Sequence, residues 1–532
     1  MQDLVPPSQQ KPIARLSHGL DRALFNPGVY WLQDPRSHVY NFTPWLQNIP
    51  KIQDFAFERL DGFVPSSADN DLQTLAKQTQ SKYTGSTSSL TGMLSQIYLT
   101  LSREKAVDTS VLSQAFSRES KNFTPGQKLP VSTRLNYSDG IYSTDSNPLV
   151  LGKDDKNVLS WMGTMLEKFM TMSEAEFKLL LHNSPASPRE PDNSREAFRF
   201  VQAGNYVMRS QLDCYDPRLP GTGVFDLKTR AALPIRYDIM NYEANSVYFI
   251  HQQHGREESF EREYYDMIRS AFLKYSFQAR IGDMDGVLVA YHNTARIFGF
   301  QYIPLTEMDE RLYGNKLAGP QIFAKCLELL QVISDEITYH YPEQTINCLW
   351  DSEPADGILK IWVRPHSWQG IGFGPITELT IEFNNFLDDQ PVHAHEVASQ
   401  LPWKACAYSS ISPVYRLLRM SLLGTVQYEI RTSSATEDEI RRRYQAAIDK
   451  QIYIWDLPSG VDINEMAELW EQMAFGGDNA SQTEFRPEMW RRPGQGTKRL
   501  RKLAQKGRVH MDRIARESEG KPVVVYDSYK SS

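Results

Sequence analysis

Two aspartates and a lysine in the stretch SQLDCYDPRLPGTGVFDLKTR, residues 210–230, have types and spacing suited to metal-assisted attack on a phosphodiester. Side chains of an extended strand repeat every two residues, so Asp226 and Lys228 project from one face. Asp213 stands late on the incoming strand, where a short turn can set its carboxylate opposite that of Asp226. Two such acids repel and a partly buried lysine is poorly solvated, so the arrangement is costly unless a divalent cation neutralises it. Mg²⁺, with Mn²⁺ as the alternative, takes oxygen ligands and is commonly held by one or two carboxylates and a substrate phosphate oxygen. Lys228 beside the attacking water would position it or lower its pKa. Arg230, just past the lysine, is a candidate for a bidentate contact to a flanking phosphate. Asp216 is a competing acid, so the choice between Asp213 and Asp216 as ligand stays open.

The flanking sequence supplies elements to hold these groups. From Asn157, apolar residues Leu159, Met162, Leu166, Phe169 and Met170 recur at helical spacing, which predicts one long helix or two joined at Ser173. A proline-rich loop, residues 183–193, leads to two alternating runs, 197–202 and 206–214, turned at Gly204-Asn205. A third strand is expected at 224–229, a helix at 260–278, and strands at 287–293 and 298–303. The order is helix, three antiparallel strands, helix, strand: an α+β plan with helices packed on a curved sheet. Beyond Pro320 the pattern predicts a helix at 322–337 and strands at 345–350, 359–363 and 376–383. Upstream, residues 1 to 60 mix prolines and aromatics as an extended arm does, and the Ser/Thr/Gln-rich segment 78–91 reads as a linker into a short amphipathic helix at 93–101.

Asp213…Asp226-Leu227-Lys228 resembles the D…(D/E)xK motif of the PD-(D/E)XK superfamily, at a spacing close to that of RecB-like exonucleases, with Leu212 where a proline often stands. The resemblance implies a restriction-endonuclease-like core with an acid on the helix before the hairpin, for which Glu167 is the candidate as auxiliary ligand. It also implies a polar residue on the following helix, for which Tyr264, Tyr265 and Gln278 are candidates. More specifically, LEKFMT, RSQLDCYDPRLPGTGVFDLKTRA and ARIGDMDGVLVAYHNT resemble the fungal mitochondrial Pet127 family, over residues 80 to 430. That resemblance implies a Mg²⁺-dependent exoribonuclease that processes 5′ ends and turns over mitochondrial RNA. It further implies single-stranded RNA as partner, the mitochondrial RNA polymerase as a second, and a matrix location with peripheral membrane association. The rival is a non-catalytic RNA- or polymerase-binding factor on the same fold. The expected divisions are an arm and linker at 1–90, a nuclease core at 91–320, an α+β extension at 321–480 and a basic tail at 481–532.

With 41% apolar, 11% aromatic and 23% charged residues over 532 positions, the chain has a globular composition. No apolar run is long enough to span a bilayer. The opening MQDLVPPSQQKPIARL has neither the apolar core of a secretory signal nor the character of a transit peptide. Cys214, Cys326, Cys348 and Cys406 are scattered, which suggests neither a disulfide framework nor zinc. A net charge of −7 means that any phosphate binding must use local patches. The strongest is the tail run of Arg491, Arg492, Lys498, Arg499, Arg501, Lys502, Lys506 and Arg508, expected to contact RNA or an anionic membrane. His292 and His251 read as satisfied histidines. His393 and His395 lack a third ligand at useful spacing, and Gly370 to Gly374 lacks the strand and helix of a phosphate cradle.

Overall fold

A computed structural model describes residues 1–60, 62–147, 157–184, 195–370, 374–387, 390–391, 425–454 and 494–526. His393, His395, Cys406, Arg491 and Arg492 lie outside the described residues. Two sheets organise the chain. The larger runs in space through β1 (Gln2–Leu4), β6 (Phe198–Ala203), β7 (Tyr206–Gln211), β3 (Tyr83–Ser86), β5 (Ile141–Ser146), β4 (Val131–Ser138), β12 (Ile346–Glu353), β13 (Ile358–Pro365), β14 (Thr377–Leu387) and β15 (Gln390–Pro391), with β16 (Thr425–Thr432) also on β14. The smaller is β2 (Val29–Trp31), β11 (Ile297–Pro304), β10 (Gly286–His292), β9 (Val224–Ala231) and β8 (Cys214–Tyr215).

A helical layer lies between the sheets. It contains α2 (Thr87–Ser102), α7 (Phe260–Ser270), α8 (Phe272–Gly282), α9 (Leu305–Tyr313) and α10 (Gly319–His340), whose apolar residues share one core with Tyr83, Trp350 and Ile361 of the larger sheet and Val287, Val289 and Tyr291 of the smaller. The opposite face of the smaller sheet carries Phe225, Leu227, Leu288 and Ala290, and is covered by α3 (Val158–Thr171), α4 (Glu174–Lys178) and the N-terminal segment. β10 is therefore buried on both faces, which is why it reads Val-Leu-Val-Ala-Tyr without alternation. The outer face of the larger sheet is capped by α1 (Asn70–Thr79) and α11 (Glu437–Ile454). Two short helices, α5 (Leu233–Tyr237) and α6 (Tyr242–Asn245), follow β9, and α12 (Gln495–Ser518) packs on both.

The α+β class is as expected, and a helix, a hairpin, a helical pair and a further strand follow one another in chain order as α3, β8–β9, α7–α8 and β10. The break between α3 and α4 falls at Ser173, whose hydroxyl caps Glu176 while the Glu176 carboxylate returns to the Ser173 amide. Several expectations are corrected. The strands before and after Asp213 are not one antiparallel meander: β6 and β7 belong to the larger sheet, and the chain crosses to the smaller one at Leu212-Asp213. β9 is antiparallel only to its short hairpin mate β8 and runs parallel to β10, as a connection through α7 and α8 permits. The helix expected at 260–278 is two, broken at Ala271. Residues 78–91 are no linker either; they form the end of α1, β3 and the first turn of α2. α2 lies against α8, α10 and β12, so it is buried on every side rather than amphipathic.

The N-terminal aromatics find their host on α3 and α4. The Trp45 ring lies 4.2 Å from Phe169 and 5.6 Å from Phe177, and Phe42 and Phe55 are fully enclosed. Burial of each such ring is worth roughly 1.5–3 kcal/mol, so this segment clamps the helix that bears Glu167.

Candidate active site

The ladder between β8 and β9 pairs Cys214 with Phe225 and Tyr215 with Val224. Continuing that register by one residue sets Asp213 opposite Asp226, as the alternation of the hairpin implies. Asp213 Oδ2 accepts the backbone N–H of Leu227 at 3.0 Å, which ties the carboxylate to β9. Asp226 is buried, and its Oδ1 accepts from Gln278 Nε2 of α8 at 2.8 Å. The Lys228 ammonium contacts Asp226 Oδ2 and stands 5.3 Å from the centre of the Tyr275 ring. Asp226, Lys228 and Arg230 thus face α7 and α8, while Phe225 and Leu227 point at α3.

The electrostatics follow from crowding. Burial, with the Asp226 and Glu167 charges beside it, holds the Asp213 carboxyl well above the usual carboxylate range, and Lys228 offsets this in part. Burial alone would lower Lys228, but Asp226 and Asp213 outweigh it, so the ammonium is held above its ordinary pKa. Asp226 Oδ2 is buried and makes no hydrogen bond, its contact with Lys228 being ionic without hydrogen-bond geometry. A crowded pair of carboxylates with an unsatisfied buried oxygen is a hard-oxygen donor set, and it suits a hard divalent cation better than a softer one.

The other expected residues are placed as follows. Glu167, on α3, meets Lys168 at 3.2 Å, and Lys168 in turn lies 4.0 Å from Glu196. The Glu167 charge reaches Asp213, yet the three acids are not among the described groups whose ligand atoms all fall within 4.8 Å. Asp216 is engaged by Arg218, which donates to Oδ1 at 2.9 Å, so it is Asp213 that accompanies Asp226. Gln278 joins the site, whereas the Tyr264 hydroxyl turns to Glu307 and that of Tyr265 to the Ser120 carbonyl. Arg230 is enclosed 3.8 Å from Glu263, in a network with Arg236 and Asp266. In α12, Arg499 pairs with Glu257 at 2.6 Å and Arg501 with Asp238 at 2.7 Å, while Lys498, Lys502, Lys506 and Arg508 are exposed.

Two histidines part company. His292 is a satisfied strand histidine: burial lowers its pKa to about 3, and Nδ1 accepts the Thr294 N–H at 3.1 Å. His251 is not satisfied, because its Nδ1 is buried without a hydrogen-bond partner among the described residues. No local spacing signals this, since its neighbour His510 is more than two hundred and fifty positions away (510 − 251).

The family model described as Mitochondrial protein Pet127 matches residues 63–335. A Schizosaccharomyces pombe protein named mRNA degradation protein pet127, mitochondrial, is 38% identical over 360 residues, covering 67% of this chain and 68% of its own. A Saccharomyces cerevisiae protein named Putative mitochondrial translation system component PET127 is 41% identical over 335 residues, covering 59% of this chain and 40% of its own. Among solved structures, Scheffersomyces stipitis Rai1 in complex with (3′-NADP)⁺ and calcium ion aligns at TM-score 0.29 and 10% identity, over 69% of this chain and 94% of that one. Candida albicans Rai1 in complex with pU5-Mn²⁺ aligns at TM-score 0.29 and 11% identity, over 68% and 92%.

Proposed function

The chain belongs to the Pet127 family of mitochondrial proteins, and on that premise we propose that it is a nuclease acting on RNA, with Asp213, Asp226 and Lys228 at its centre. The observation that carries the reading is the contact of Asp213 with Asp226 across the hairpin, beside a lysine that stays charged. Exonucleolytic processing from 5′ ends is its finer form. The name of the S. pombe relative, an mRNA degradation protein, agrees with the substrate class.

A divalent cation bound by Asp213 and Asp226, with Glu167 as auxiliary ligand, would neutralise charge developing on the phosphoryl oxygens. Asp213 must first surrender the proton that crowding imposes on it. Gln278 fixes the Asp226 carboxylate by donating to Oδ1, which leaves Oδ2 facing the site. Lys228, being charged, acts here as a hydrogen-bond donor to the attacking water or a phosphate oxygen, not as a base at neutral pH. Glu167 must swing from Lys168 to join.

Purified chain would be incubated with 5′-labelled single-stranded RNA and Mg²⁺ or Mn²⁺. Asp226→Asn and Lys228→Ala should each lower the cleavage rate about 100-fold or more. Wild-type rates in both variants would overturn the proposal. One observation favours the rival, a non-catalytic RNA-binding factor: Lys228 already fills the space beside Asp226 with a protein cation. That rival predicts RNA binding with no Mn²⁺ taken up at this site, readable by electron paramagnetic resonance.

A further inference from the structure

A second cluster of ligating side chains lies where α12 crosses the loop before α7. We propose that His251, Glu258 and His510 form a site for a transition-metal ion of the zinc class, and that this ion clasps the C-terminal helix to the body. One nitrogen from each imidazole and one carboxylate oxygen all lie within 4.8 Å of one another, and each residue is half-buried. None of the three belongs to the hairpin, α3 or α8, so the site is separate from the Asp213–Asp226 pair.

The loop presents two of the ligands by its own hydrogen bonds. The N–H groups of His251 and Gln252 donate to the Glu258 carbonyl at 3.1 and 3.3 Å, which brings residues 251 and 258 together. The Glu258 N–H donates to the Tyr248 hydroxyl at 2.6 Å, with Glu258 held at φ +53°. The third ligand arrives with α12. Gly507 rides directly on the segment below, where a Cβ would stand 2.1 Å from the Val247 carbonyl oxygen, and Leu503 and Ala504 are buried beside it. His510 follows Gly507 by three residues, on the same side of the helix. Its ring stacks on that of His251 with centroids 4.5 Å apart and planes 24° from parallel.

Packing alone does not account for this cluster. His251 Nδ1 and Glu258 Oε1 are both buried with no hydrogen-bond partner among the described residues, and two orphaned atoms of this kind are costly. An ion between them satisfies both. Two imidazoles and a carboxylate suit Zn²⁺ or a neighbouring late first-row ion, since Mg²⁺ and Ca²⁺ favour all-oxygen sets. The adjoining cavity of about 150 Å³, lined also by His38 and Glu517, leaves room for a water as fourth ligand. Arg513 flanks the site: its Nη2 lies 3.2 Å from His510 Nδ1 and its Nε 3.9 Å from Glu517, so its charge has a carboxylate to turn to when the ion binds.

The test uses the full chain carrying Asp213→Asn and Asp226→Asn, which removes the other metal centre, freed of metal by chelator. Zn²⁺ affinity is measured by competition with a chromophoric chelator, and Co²⁺ is added in parallel for its visible ligand-field bands. One Zn²⁺ should bind, Co²⁺ should give tetrahedral bands, and His251→Gln, Glu258→Gln and His510→Gln should each weaken binding about tenfold or more, since even outer-shell changes cost that much. Chelation should speed proteolytic release of α12. Absence of the Co²⁺ bands in the parent chain, or unchanged Zn²⁺ affinity in the three variants with normal circular dichroism, would overturn the proposal. Failure of RNA cleavage by the wild type leaves these readouts intact, so the two proposals stand or fall separately.

Discussion

At the scale of single residues, Asp213 would link stability to the proposed activity. Its folded pKa lies above the unfolded value near 3.9. Above that unfolded value the native state retains a proton that the unfolded chain has released, so the contribution of Asp213 to stability falls as pH rises through the folded pKa. Asp213→Asn should therefore raise the melting temperature at neutral pH in chelator, by roughly 1–3 °C, while abolishing cleavage. Wild type should gain melting temperature on addition of Mn²⁺ and the variant should gain less; calorimetry with and without the ion reads both. Cleavage by the wild type should increase with pH as Asp213 deprotonates, at lower pH as the ion concentration rises. On the proposed reading Gln278 is a positioning residue, since among the described residues its side chain donates to Asp226. Gln278→Ala should cost about tenfold in kcat with little change in KM for RNA, and Gln278→Glu should not restore it because its charge opposes Asp226.

At the scale of elements, the hairpin and α12 behave differently. The β9 strand of the hairpin is held by β10 from Phe225 to Ala231, so variants at the hairpin tip should leave the sheet intact. α12 is held by a line of contacts: Arg501 on Asp238, Leu503 and Ala504 in the core, and Gly507 on Val247. Gly507→Ala raises intrinsic helix propensity by roughly 1 kcal/mol, yet it should loosen the helix from the body, because its Cβ has no room. Faster proteolysis within 494–518 with unchanged helix content by circular dichroism is the expected outcome. Unchanged proteolysis would mean that the helix does not rest on this glycine. The same docking sorts the cations. Arg499 and Arg501 are used internally, so Lys498, Lys502, Lys506 and Arg508 are the cations of α12 named above that stand exposed to meet phosphate. Replacing those four by Ala should reduce the slope of log affinity for RNA against log salt by roughly one unit each, whereas Arg501→Ala should act mainly through α12 release.

At the scale of the whole molecule, two sheets share one helical layer, and the candidate active site lies where the chain passes from one sheet to the other. Among the described residues no helix is long and apolar enough to cross a membrane. The period-two alternation around Asp226 and Lys228 determined their shared face, and the helical period of 157–172 determined the helix bearing Glu167. These are local properties, carried by residues a few positions apart, and they survived folding unchanged. The α+β order and most strand positions were legible for the same reason. What the sequence alone did not decide is which strands become neighbours. β9 pairs with β10 rather than extending the hairpin of β6 and β7, because burying Val287 and Val289 against α8 and Leu288 against α3 requires β10 beside it. That choice turned Arg230 inward to Glu263 and brought Gln278 to Asp226. It also took tertiary structure to set His510 on His251: the two lie far apart in the chain and no spacing rule joins them. Backbone periodicity decides the direction in which a side chain leaves its own element; the packing of distant elements decides what it meets there.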